Sequence, residues 1–226
     1  MDGIVSLLAL ADSRLPAGGH AHSGGIEPAM AAGLVRDLDD LGIFLRGRVR
    51  SAGLVAAGIA AAVAHRCATA DAGFWGLIDA ETDARTASPA QRDASRQQGR
   101  ALLRAGRAAW PAPYYDRLAA TPAGPHHAVA LGAVGAAAGG DPAGVAHVAG
   151  YLAISGPAAA AVRLRGFDPF AVHALLAVLT PEVEAVAAAA LRSAAGPPPD
   201  LPCVTAPRLD LLAELHARSE VRLFAS

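Results

Sequence analysis

Two places along the chain hold side chains able to do chemistry. The first is a loop in which Gly18, Gly19, Gly24 and Gly25 flank His20, His22 and Ser23. Imidazole nitrogens suit nickel and zinc, so His20 and His22, with His126 or His127, make a candidate transition-metal site. The plainer reading has His22 hydrogen-bonding the backbone of the glycine loop, as polar groups in buried loops mostly do, and it is preferred. Ser23 lacks the Gly-x-Ser-x-Gly setting of a nucleophile elbow, since Ala21 and Gly25 flank it. Neither a His-Glu-x-x-His helix nor a phosphate-binding loop occurs. No catalytic residue, resident metal or cofactor is therefore assigned. A small helical metal-dependent hydrolase using His20, His22 and His126 is the second reading.

The remaining place is a stripe of arginines. Arg92, Arg96, Arg100 and Arg104 recur every four residues, Arg107 follows closely, and only Asp93 offsets them locally. Residues four apart share a helix face, so the stripe is either a solvated surface or a docking face for an acidic protein. The first is the default in a chain with 19 basic and 20 acidic residues. All the basic residues are arginine, which removes any Walker-A, Schiff-base or general-base lysine. A net charge near zero favours neither nucleic acid nor a membrane surface.

These residues need helices to position them. Leu7 to Glu27 reads as an apolar run broken at Leu15-Pro16, then the glycine loop, then a helix opening at Ile26-Glu27-Pro28, where a carboxylate suits the first turn. From Leu38 to Val63 apolar residues recur at three and four, one face of a long amphipathic helix that Asp37 or Asp39 can cap. Asp71 to Arg85 is a shorter one. Ser88-Pro89-Ala90-Gln91 is a capping box opening a helix to about Ala109, and the arginine stripe lies on it. Asp141-Pro142, Asp168-Pro169 and Thr180-Pro181 each predict a helix start, with Gly156-Pro157 splitting the first of these segments. The proline-rich stretch 196–206 is a surface connection. A last helix from about Pro207 turns Leu209, Leu212 and Leu215 inward, with Glu214 and Arg218 paired at i, i+4.

No sustained alternation marks a strand. The expected fold is all-α, a single globular domain over 1–226 of about eight to ten helices, with the glycine-rich loop at 7–27 and a short tail at 221–226. Cys67 and Cys203 are far apart without C-x-x-C spacing, which suits a reduced, cytoplasmic protein. No leader is visible at the first residues, and the apolar runs are interrupted too often for a membrane span.

The motifs together resemble the UreF family of urease accessory proteins. Ala11-Asp12-Ser13, Leu15-Pro16, Gly18-Gly19, Ala21-His22-Ser23-Gly24-Gly25 and Glu27 are similar to its N-terminal signature. Ser95-Arg96-Gln97-Gln98-Gly99, His126-His127 before Leu131-Gly132, and Ala161-Val162-Arg163-Leu164 resemble its middle elements. Ala206-Pro207, Leu209-Asp210, His216 and Arg222-Leu223-Phe224-x-Ser226 resemble its closing signature. His20 stands where the family usually has an aromatic, and Ala217 where a glutamate is typical. The resemblance implies a non-enzymatic, homodimeric assembly protein for urease's nickel centre. It would bind the scaffold UreD (also UreH), reach apo-urease through it, and recruit the nickel-carrying GTPase UreG. By the same resemblance the partner-binding residues are His22, Ser23, Glu27, Arg96, His216, Arg222, Leu223, Phe224 and Ser226, and the arginine stripe adds Arg100, which the family motif does not cover. The tail is then mobile alone and orders against UreD.

Overall fold

Carboxylates and one hydroxyl start five of the helices where the sequence places them. In this computed structural model, which describes residues 3–121, 123–219 and 223–224, Asp37 accepts from the Asp40 amide, Asp71 from Phe74 and Ser88 from Gln91. Asp141 accepts from Gly144, and Asp168 from Phe170 and Ala171. Each side chain satisfies an amide that the first helical turn leaves unpaired. Thr180 does not act this way. Leu179 alone separates two helices there, and its carbonyl already accepts from the Glu182 and Val183 amides.

Twelve α-helical segments and no strand make up the described residues, so the fold is all-α and forms one domain. In chain order they are α1 (Ile4–Ala11), α2 (Ile26–Ala31), α3 (Leu38–Arg48), α4 (Leu54–Arg66), α5 (Ala72–Ala84), α6 (Pro89–Ala109), α7 (Tyr115–Ala119), α8 (His127–Ala137), α9 (Pro142–Arg165), α10 (Pro169–Val178), α11 (Thr180–Ala194) and α12 (Pro207–Ala217). A π-helical turn, Val49–Gly53, joins α3 to α4 in one continuous rod.

The rod's second half is the centre of the molecule, with α8, α9 and α11 packed around α4. Ala57, Ala60 and Ala61 have no exposure there, nor do Ala130 and Ala133 on α8. Small side chains let the helix axes approach, so the core gains density without large apolar residues. The Leu38–Arg66 rod and α9 are each long and apolar enough to cross a membrane by length and composition. Both are packed into the bundle, with 56% and 61% of their apolar windows buried.

Gly156-Pro157 does not split α9, contrary to the sequence expectation. Proline has no amide hydrogen, so the carbonyl four residues back loses its helical donor. That carbonyl is Ala153, and Arg48 Nε donates to it at 3.1 Å. Burial pushes Arg48 down to about 10. The helix thus survives its proline because a side chain from α3 replaces the missing amide.

The 196–206 connection runs over the surface as a strap held to the domain, while the expectations for α12 change. Pro198 and Leu201 are buried, and Arg85 donates to the carbonyls of Pro199, Leu201 and Pro202 at 2.9, 3.0 and 3.0 Å. On α12, Leu212 is buried but Leu215 is 63% exposed. A strict spacing of three drifts round a helix of 3.6 residues per turn, so the inward positions are Leu212, Ala213 and His216 instead. Glu214 leaves Arg218 and turns to the start of α6, where its Oε1 accepts from the Ser88 hydroxyl and the Ala90 amide.

Candidate partner-docking site

Residues from both ends of the chain converge on one place. Gly24 and Gly25 adopt φ of 60° and 88°, in the left-handed region that side chains with a Cβ avoid. A Cβ on Gly24 would lie 2.8 Å from Pro157 Cγ, and one on Gly25 3.5 Å from Leu209 Cδ2. The loop is pressed between α9 and α12, which buries His22 and Ser23. It delivers Glu27 in the first turn of α2.

Glu27 closes a clasp on the C-terminal tail. Its Oε1 accepts from the Leu223 amide and its Oε2 from the Phe224 amide, both at 2.9 Å. The Phe224 carbonyl lies 3.1 Å from His216 Nε2, and Glu27 Oε2 lies 3.3 Å from the same nitrogen. Both oxygens can only accept, so Nε2 carries the proton. Arg163 sits over the Phe224 ring at 4.6 Å from its centre, a cation–π contact. Phe224 is half-buried against the core while Leu223 remains 73% exposed. For these two residues the expectation of an unheld tail gives way to a docked one; Arg222 and Ser226 lie outside the described residues.

The middle motifs form a second assembly, a buried polar lock. His126 is fully buried at the cap position of α8, its Nε2 2.9 Å from Asp83 Oδ1 and its Nδ1 3.1 Å from Ser95 Oγ. Asp83 can only accept, so Nε2–H donates to it and Nδ1 receives the Ser95 hydroxyl hydrogen. Ser95 Oγ in turn accepts the His127 amide at 3.1 Å. Arg96 donates to both Asp79 oxygens at 2.9 and 3.0 Å, to Asp83 Oδ2 at 2.9 Å and to the Gly124 carbonyl at 2.6 Å. A Cβ on Gly99 would lie 2.0 Å from the Pro125 carbonyl oxygen. The Ser-Arg-x-Gln-Gly element therefore serves to seat the 124–127 turn on α6.

Serine, histidine and aspartate are the types of a nucleophilic triad, but here each is engaged in closing the fold. Burial pushes His126 down from its ordinary value, with Arg96 adding to the effect against the pull of Asp83. Burial works to raise Asp83, yet His126 and Arg96 outweigh it and hold the carboxyl low. Burial, helped by His22, pushes His127 down to about 4. Both histidines bind protons less readily when folded than when unfolded, so stability declines as pH falls below ~6.5. For His127 the decline continues to about pH 4. Loss of Asp83's contribution follows only below its unfolded value of ~3.9. Urea denaturation between about pH 7.5 and about pH 5 should show stability dropping on the acid side, and a flat profile would contradict the weakened proton binding of the folded histidines.

The structure sorts the candidate residues unequally. Glu27, His216, Leu223 and Phe224 are brought together, and His22 and Ser23 lie in the loop that carries Glu27. Arg96 is not on an exposed stripe at all. It is buried and engaged by Asp79 and Asp83, whereas Arg100 is exposed with one bond to the Ala123 carbonyl. Both ring nitrogens of His126 are engaged, which removes it from the hydrolase reading. Among the described residues no group of three or more His, Cys, Asp or Glu is placed to hold a metal ion. Sequence reasoning missed Asp79, Asp83 and Arg163. The first two have a legible signal, since they stand four apart on α5 as Arg92 and Arg96 do on α6.

Fold and site define a single-domain, all-helical protein in which a carboxylate clasp joins the N-terminal glycine loop to the C-terminal tail. The chain belongs to the UreF family, whose model matches residues 35–180. It is similar to the urease accessory protein UreF of Mycolicibacterium vanbaalenii, 47% identical over 226 residues and covering all of both chains. Identity is 49% to the UreF of Mycobacterium sp. strain JLS and 48% to that of Mycobacterium marinum, again over the whole of each.

Proposed function

We propose that this chain assists assembly of the nickel metallocentre of urease by bridging the scaffold UreD (UreH) and the GTPase UreG, and that it influences GTP-dependent nickel delivery. It acts in the cytoplasm as a homodimer without catalysing a reaction itself, and meets apo-urease through UreD. One observation carries the reading. Glu27, Arg163, His216 and Phe224 come from separate signature segments, and they meet in one clasp that leaves Leu223 facing solvent. An exposed apolar side chain beside an ordered aromatic offers a partner a surface to cover, and interfaces are enriched in aromatic residues.

The chain alone should neither bind nor hydrolyse GTP, for it has no lysine and no phosphate-binding loop. Any effect on turnover should need UreG. The test compares GTP hydrolysis by UreG alone, by UreG with the complex of this chain and UreD, and by this chain alone. Turnover that differs between the first two supports the bridging role; GTP binding by the isolated chain contradicts it.

A further inference from the structure

The arginine helix borders a groove that the clasp does not occupy. About 1210 Å³ of space lies between α6, the turn at Thr121 and Ala123, and α12. Arg100, Arg104 and Arg107 line it from α6, and His216 brings the clasp to its edge. Asp93 is the only acidic residue among the lining residues. Buried Leu103 and Ala213 add apolar surface.

The three arginines are not equally engaged. Arg107 pairs with Asp116 at 2.7 Å, and Arg100 gives one bond to the Ala123 carbonyl at 2.6 Å but meets no carboxylate among the described residues. Arg104 is exposed and makes no hydrogen bond or ion pair among the described residues. Arg100 and Arg104 are therefore available for a partner's carboxylates, and Arg107, its side chain 42% exposed, can face a further one beside Asp116. Spacings of four and three residues set the three arginine positions about 6 and 4.5 Å apart along the helix axis.

We propose that this groove takes an acidic helical segment of a partner protein, with carboxylates at i, i+3 and i+7 against Arg107, Arg104 and Arg100. The space exceeds the ~300–1,000 Å³ of small-molecule clefts, which favours a chain segment over a metabolite. Its lining holds no Phe, Tyr or Trp on which nucleic-acid bases would stack. Apolar residues between the carboxylates meet Leu103 and Ala213. The stripe thus acts through Arg100 and Arg104, while Arg96 holds the helix that presents them.

Fluorescence anisotropy with the full chain tests this. The probe is a labelled peptide bearing glutamates at i, i+3 and i+7 with leucines between, alongside its glutamine counterpart and a single-stranded oligodeoxynucleotide. The acidic peptide should bind, more weakly as salt is raised, and Arg100→Gln with Arg104→Gln should reduce affinity about tenfold. The chain contains no lysine, so Arg104→Lys installs its one side-chain amine. Carbodiimide coupling should then join the peptide at position 104. Absence of binding, equal binding by the double variant or of the glutamine peptide, coupling elsewhere only, or tighter binding of the oligonucleotide would overturn the proposal. The assay uses this chain alone, so its result is independent of UreD and UreG.

Discussion

Gly99→Ala is expected to lower the melting temperature by roughly 10 °C, the largest effect of any single methyl group on α6. The added Cβ would stand 2.0 Å from the Pro125 oxygen and 2.8 Å from the His126 carbonyl carbon, both backbone atoms of the turn. Backbone cannot rotate away as a side-chain end can, so α6 and the turn must separate. Separation stretches the Ser95 bonds to His126 and His127 and the Arg96 bond to Gly124, leaving buried polar groups poorly paired. Overpacking costs ~1–3 kcal/mol or more, and an unsatisfied buried group adds ~1–3. At ~2–4 °C per kcal/mol for a domain of this size, the shift is large. Differential scanning fluorimetry measures it. A melting temperature within about 2 °C of the parent would mean that the turn is not locked as described.

Glu27→Gln should free the tail while leaving the domain intact. A carboxylate accepts both tail amides, whereas glutamine offers one oxygen and turns an N–H₂ toward the other amide. Bonds to a charged acceptor contribute ~1.5–3 kcal/mol, so exchange of the Leu223 and Phe224 amides should speed up by about tenfold to a hundredfold. The change is local, because α2 remains packed through Ile26, Ala29 and Met30. The melting temperature should therefore hardly move. Hydrogen exchange resolved at the two residues is the measurement, and unchanged rates would show that the clasp does not hold the tail.

Much of this was legible in the sequence where local physics decides. Asp141-Pro142 and Asp168-Pro169 start helices because a carboxylate cap and a proline in the first turn need no tertiary help, and Ser88-Pro89 opens α6 likewise. Long-range partners decide the rest. Pro157 is tolerated only because Arg48, far away in sequence, reaches Ala153. Arg96 reads as one more member of a solvated stripe until Asp79 and Asp83 are found facing it from α5. Leu215 reads as core from spacing alone, but the spacing drifts off the buried face. For the site, Glu27, His216 and Phe224 came from the family resemblance, while their meeting in one clasp depends on the loop folding between α9 and α12. Arg163 belonged to a quoted motif without a role until Phe224 was seen beneath it.

Deleting Val221 to Ser226 and co-purifying the shortened chain with UreD tests the docking role of the clasp most directly. The core closes without the tail, so thermal denaturation should give a nearly unchanged transition. The complex should be lost or greatly weakened, since the segment held by Glu27 and His216 and its exposed Leu223 would be gone. A shortened chain that folds and still retains UreD as the full chain does would contradict the account.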